Sequence, residues 1–98
     1  MNLKATAQTI DRLAQQEIPS YEKPTRNIGT ENTHQITRRT TLNDNTASYE
    51  IIATTRGAQF AITDRHHYTR VEIPATANEA TITRLIASTR DAYRNTTN

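Results

Sequence analysis

The sequence predicts an α+β fold, a four-stranded antiparallel β-meander flanked by an N-terminal and a C-terminal helix (α-β-β-β-β-α). Three observations predict it. From residue 47 to 73 apolar and polar residues alternate, the period of a half-buried strand. On either side, residues 2–17 and 76–94 carry apolar stripes at helical spacing. Threonine, which is β-branched and suits a pleated surface, supplies 19 of the 98 residues, more than the 16 Leu, Ile, Val and Phe together.

The first helix spans residues 1–17. Leu3, Ala7, Ile10 and Ala14 fall at i, i+4, i+7 and i+11, Leu13 widens the stripe, and Pro19 stops it. Residues 18–32, with Pro19, Pro24 and Gly29, read as a linker over the sheet edge, with Tyr21 and Ile28 tucked in. The meander occupies 33–73. Its first strand, 33–42, ends at Asn43-Asp44-Asn45, residue types that tolerate positive φ. Tyr49, Ile51 and Ala53 face inward on the second strand, and Arg56-Gly57 forms the next turn. Ala58, Phe60 and Ile62 face inward on the third strand; Thr69, Val71 and Ile73 do so on the fourth, after the loop Asp64-Arg65-His66-His67. Pro74 ends the sheet. Thr76 and Glu79 fit a capping box for the helix at 76–94, whose stripe is Ile82, Leu85, Ile86, Thr89 and Tyr93; residues 95–98 form a frayed tail. His34 and Arg38 share the phase of Ile36 and Leu42, which places charge on an inner face and reads as an edge strand.

Composition narrows the function. The chain is one domain with a small apolar inventory, so a partner chain or a homodimer is expected to supply further burial. There is no cysteine, and no run near 18 apolar residues or leader segment, so no membrane association and a cytoplasmic location are expected. Twelve Lys and Arg stand against ten Asp and Glu, a net +2 without the concentrated basic stripe of a typical nucleic-acid binder. The excess is in arginine, at 38, 39, 56, 65 and 70, and arginine forks suit directional contacts.

Catalytic chemistry finds no support. Ser20 and Ser88 lack a nucleophile-elbow context, and Gly29 and Gly57 cannot make a phosphate-cradling loop. Alternate hairpin loops fall at the same end of a meander, so Asp44, Asp64, His66 and His67 gather there, a set that zinc or manganese would draw on. Adjacent histidines on an extended chain point apart, however, and no second spaced ligand pair exists. No cofactor is expected.

The order helix, meander, helix is similar to that of double-stranded-RNA-binding domains, which grip phosphates with a Lys-rich start to the last helix. The stretch here, Thr76-Ala77-Asn78-Glu79-Ala80-Thr81, has an acid and no lysine. Element order alone assigns no family.

The leading expectation is a small non-enzymatic protein-interaction module, of the phage- or plasmid-type inhibitor or accessory class. Arg39, Tyr68 and Arg70 on the outward face, with Arg65 and His67 at the loop end, are the expected partner contacts. A nucleic-acid-binding module using the Arg/Thr sheet face is the alternative, and a metal-dependent hydrolase is third.

Overall fold

The computed structural model describes residues 2–20 and 23–97, so Tyr21 and the tail residue Asn98 lie outside the described residues. The element order is α1 (Leu3–Glu17), β1 (Arg26–Gly29), β2 (Thr33–Leu42), β3 (Asn45–Thr54), β4 (Gly57–Thr63), β5 (Tyr68–Pro74) and α2 (Glu79–Thr97). The strands form one antiparallel sheet in sequential order β1-β2-β3-β4-β5, and both helices lie on one face of it.

The sheet therefore has five strands, not four. The extra strand comes from the stretch expected to be linker. Arg26 to Gly29 pair with Thr37 to His34 on β2. All four β1 residues are exposed, so burial imposes no alternation that the sequence could display. Gly29 lies under the His34 ring, where an added Cβ would come within 2.7 Å of Nδ1, and the same ring meets the Asn27 Oδ1 through Nε2 at 2.7 Å.

With β1 paired to residues 34–37, that stretch of β2 is interior, which corrects the edge-strand reading for His34, while Arg38 lies past the end of β1, where β2 is flanked among the described residues by the single Ser20–Thr40 bridge. His34 is buried against β1, and Arg38 points at α1. The β2–β3 turn is made by Asn43 and Asp44, both at positive φ (51° and 63°), in a two-residue hairpin closed by Leu42 opposite Asn45. The β3–β4 turn is Thr55-Arg56, one residue earlier than expected. Gly57 opens β4 at φ 145°, where a Cβ would sit 2.6 Å from the Ile73 carbonyl oxygen.

α1 starts at Asn2, whose Oδ1 accepts from the Ala5 amide at 3.0 Å, and it buries Ala7, Ile10, Leu13 and Ala14. α2 starts three residues later than expected. Thr76 is consumed in a turn closed by the Ala77 amide on the Pro74 carbonyl, and Asn78 caps instead, its Oδ1 accepting from the Thr81 amide at 2.8 Å. Glu79 pairs with Arg12 of α1 at 2.9 Å rather than closing a capping box. At the other end α2 runs on to Thr97. Asn43 Nδ2 donates to the Arg94 carbonyl at 2.9 Å and to the Thr97 hydroxyl at 2.8 Å, satisfying groups that a frayed end would leave to water.

The core lies between the sheet and the helices. Ile36, Leu42, Tyr49, Ile51, Phe60, Ile62 and Ile73 meet Ile10, Leu13, Ile82, Ile86 and Tyr93, all buried. The expected inward phases of β3, β4 and β5 agree with this set. Val71 and Leu85, also expected in the core, are only half-buried at its margin, on the side of the free β5 edge.

Candidate functional site

Three groups of polar side chains have to be told apart: one inside the core, one at the loop end, and one on the outer face of the sheet.

The inner group is Asp11, Arg38 and Tyr49. Arg38 meets both Asp11 oxygens in a fork, Nε to Oδ1 at 2.8 Å and a terminal nitrogen to Oδ2 at 2.9 Å, and the Tyr49 hydroxyl donates to Oδ1 at 2.6 Å. The carboxylate raises the Arg38 pKa through this hydrogen bond, and burial followed by the bond to Asp11 raises that of Tyr49. With about a tenth of each side chain exposed at Asp11 and Arg38, the pair has no room for a ligand. It fastens α1 to β2 and β3. Asp11 sits on the apolar stripe of its helix and Arg38 on the inward phase of its strand. An acid and a base each misplaced on an apolar face were the signal that could have paired them.

The loop end gathers the two turns as expected. Asn45, Thr46, Asp64, Arg65, His66 and His67 line one shallow depression. Asp64, however, is already engaged. Its Oδ1 accepts from the His66 amide at 2.7 Å, the His67 amide at 2.8 Å and His67 Nδ1 at 3.2 Å, and its Oδ2 accepts from the Tyr93 hydroxyl at 2.5 Å. The Tyr93 bond and then the two amides hold the Asp64 carboxyl well below the usual carboxylate range. Burial, and then the bond to Asp64, push the Tyr93 phenol up to about 12. The His67 ring packs edge-on against Tyr93 with centroids 6.4 Å apart. These contacts shape the β4–β5 loop and tie it to α2. Among the described residues no group of three or more His, Asp or Glu is arranged to hold a metal ion, and Asp44 does not join Asp64, His66 and His67 in the depression.

The outer face carries the remaining candidates in ladder rows. Ile28, Gln35, Ile52, Gln59 and Glu72 form one row across all five strands. Arg26, Thr37, Glu50, Ala61 and Arg70 form the next, and Arg39, Ser48, Thr63 and Tyr68 the third. Arg39 and Tyr68 thus share a row, three strand spacings or ~14 Å apart. Ser48 and Thr63 make a low hydroxyl floor between them. Arg70 lies one row over, beside Ala61. Arg39 and Arg65 line one depression with Thr46, Ser48, Thr63 and Asp64. Both are exposed, and among the described residues neither makes a side-chain hydrogen bond or ion pair. Among the described residues Tyr68, 61% exposed, and Ile28, 53%, are the large apolar side chains the surface leaves open. β1 brings Arg26 and Ile28 to this face, which reasoning from the sequence missed. His67 alone of the expected contacts turns from the face, toward Asp64 and Tyr93.

No described helix is long and apolar enough to cross a membrane. Compared with known proteins, the chain matches no family model, no curated protein and no solved structure.

Proposed function

We propose that this chain is a non-catalytic binding protein that docks an acidic surface of another protein on the outer face of its sheet. The pair Arg39 and Arg65 forms the centre. Tyr68 and Arg70 border it, and His67 acts indirectly, by holding the loop that carries Arg65. One observation carries the reading: two guanidinium groups uncommitted among the described residues flank a floor of short hydroxyl side chains on a face that no described element covers. An arginine fork gives directional bonds to a carboxylate, and the Ser48 and Thr63 side chains are short enough to let a partner backbone approach. The two arginines on conformationally free stems make a poor catalytic constellation, since catalysis needs groups held by packing.

The test is affinity capture from lysate with the wild-type chain and with Arg39→Ala combined with Arg65→Ala, with and without nuclease. Capture of one defined protein that survives nuclease and falls in the double variant supports the reading. Capture lost to nuclease, with binding that weakens steeply as salt rises, replaces the protein partner with a nucleic acid, because phosphate binding releases counterions. Capture unchanged in the double variant rejects this face.

A further inference from the structure

The two edges of the sheet are built differently. β1 is four residues long and ends at a glycine, a short edge of the kind that resists pairing. β5 is a seven-residue strand, Tyr68-Thr69-Arg70-Val71-Glu72-Ile73-Pro74, paired on one side only among the described residues. Its free side offers a row of backbone donors and acceptors up to Pro74, which has a carbonyl but no N–H to give.

We propose that two copies of this chain associate through this edge, antiparallel about a two-fold axis at Val71, to make one continuous ten-stranded sheet. The edge shares Tyr68 and Arg70 with the border of the docking face but none of the residues that line the Arg39–Arg65 depression, and it does not depend on what that depression binds. The sequence of β5 is self-complementary in this register. Val71 meets the second copy's own Val71, and Thr69 meets Ile73 on the inner side. On the outer side Arg70 lies opposite Glu72 and Glu72 opposite Arg70, giving two cross-strand ion pairs. At the ends, the exposed Tyr68 ring lies opposite Pro74, which is exposed as well. Both copies keep their helices on the same side only if outward residues pair with outward ones. Of the centres this allows, Arg70 or Glu72 on the axis would set like charges face to face, which is destabilising. Val71 is the centre that uses the full strand and matches every charge.

The helix layer fits the same axis. α2 packs on β5 and β4, while α1 packs on β2 and β3. The flank of α2 toward α1 is marked by Glu79, paired with Arg12, and by Arg90, paired with Glu17 at 3.0 Å. At 100° per residue the opposite flank, toward the free edge, carries Thr81, Leu85, Ser88 and Ala92, with no charge among them. A helix centred between β4 and β5 stands one strand spacing from the axis, so the two copies of α2 run ~10 Å apart. That is the distance of two packed helices. The half-buried Val71 and Leu85 then become interior.

Sedimentation equilibrium of the full chain reads the mass directly, against 11.1 kDa for one copy. A dimer at micromolar concentration is expected. Arg70→Glu, or Glu72→Arg, should raise its dissociation constant about tenfold, and the two changes combined should restore it, because the swapped charges are again opposite. Since the chain has no cysteine, Val71→Cys should form an intermolecular disulfide on mild oxidation, and Ile28→Cys on the far edge should not. A monomer at these concentrations overturns the proposal. So does a dimer that survives either single charge reversal, or one that Ile28→Cys cross-links and Val71→Cys does not. The charge-reversal arm stands if the cysteine variant fails to fold, and neither Arg39 nor Arg65 is altered in any arm.

Discussion

The two faces of the sheet are made by alternate residues of the same strands, yet they are held to different standards. On the inner face Tyr49, Phe60 and Ile62 are fully buried, and every polar group that enters is matched: Arg38 by Asp11, His34 by Asn27, and Thr40 by the Pro19 carbonyl. Among the described residues no buried side-chain polar atom lacks a partner. On the outer face, one residue along the chain, Arg39 and Tyr68 have solvent as neighbour. Burial makes a polar group dependent on one partner, because an unsatisfied donor or ion inside costs far more than the same group in water. The inner face is therefore tied to stability, and the outer face is free to be chosen for binding.

The comparison breaks most visibly at Asp11. Asp11→Ala leaves the Arg38 guanidinium buried without its carboxylate and should cost about 3–5 kcal/mol in urea denaturation. The double change Asp11→Leu with Arg38→Met removes both charges and should recover part of that loss, the remainder being the buried Tyr49 hydroxyl left without its acceptor. If the double change is as unstable as the single one, the ion pair itself, rather than an unpaired charge, is what holds α1 down.

Gly57 comes next. Its φ of 145° and the 2.6 Å approach to the Ile73 carbonyl leave no space for a Cβ, so Gly57→Ala should cost about 1–3 kcal/mol. An unchanged denaturation midpoint would mean that the start of β4 gives way freely.

The Asp64–Tyr93 contact sharpens the comparison through pH. The Asp64 carboxyl is depressed in the folded chain, so its contribution is complete above the ordinary carboxylate value of 3.8 and fades as pH falls below it. The Tyr93 phenol is raised, so its contribution is complete below 10 and is lost as pH climbs from there toward about 12. Thermal melts should accordingly weaken at both extremes, and Tyr93→Phe should make the alkaline limb shallower, leaving the part contributed by the raised Tyr49 phenol. A Phe variant with the same alkaline loss would place the titrating group elsewhere.

The smallest expected effect is the most telling for the outer face. Arg39→Ala should change stability by no more than about 0.5 kcal/mol, since a solvated arginine without a partner contributes little to folding. A larger loss would show that the face is part of the scaffold.

What the sequence revealed follows the same division. Period-2 alternation gave the inward phases of β3, β4 and β5 because a buried side excludes most polar residues, and the helical stripes were legible for the same reason. β1 stayed hidden because neither of its sides is buried. The Asp11–Arg38 and Asp64–Tyr93 contacts join residues 27 and 29 positions apart, a pairing that local spacing does not encode. The start of α2 was misplaced because Thr76 and Asn78 are both good caps, and only the turn at Pro74 decides between them. On the outer face the residues were assigned correctly to their side, but their neighbours depend on strand order: adding β1 gave Gln35 and Thr37 new partners in Ile28 and Arg26, while Arg39, past the end of β1, stays at the end of its row.

The sequential strand order bears on how the chain acquires its shape. Each strand pairs with its neighbour in sequence, so the hairpins close short loops and can form early. The contacts of α2 with α1, by contrast, span 67 residues at Arg12–Glu79 and 73 at Glu17–Arg90. During synthesis α1 and most of the sheet are complete while α2 is still being made, and Phe60, Ile62 and Ile73 lie bare until it docks. An uncovered apolar sheet face is prone to aggregate, so the docking of α2 is expected to close the most vulnerable stage of folding. Pulsed hydrogen exchange during refolding should find the β2, β3 and β4 amides protected before those of α2. Simultaneous protection would mean that the sheet cannot stand, even briefly, without its second helix.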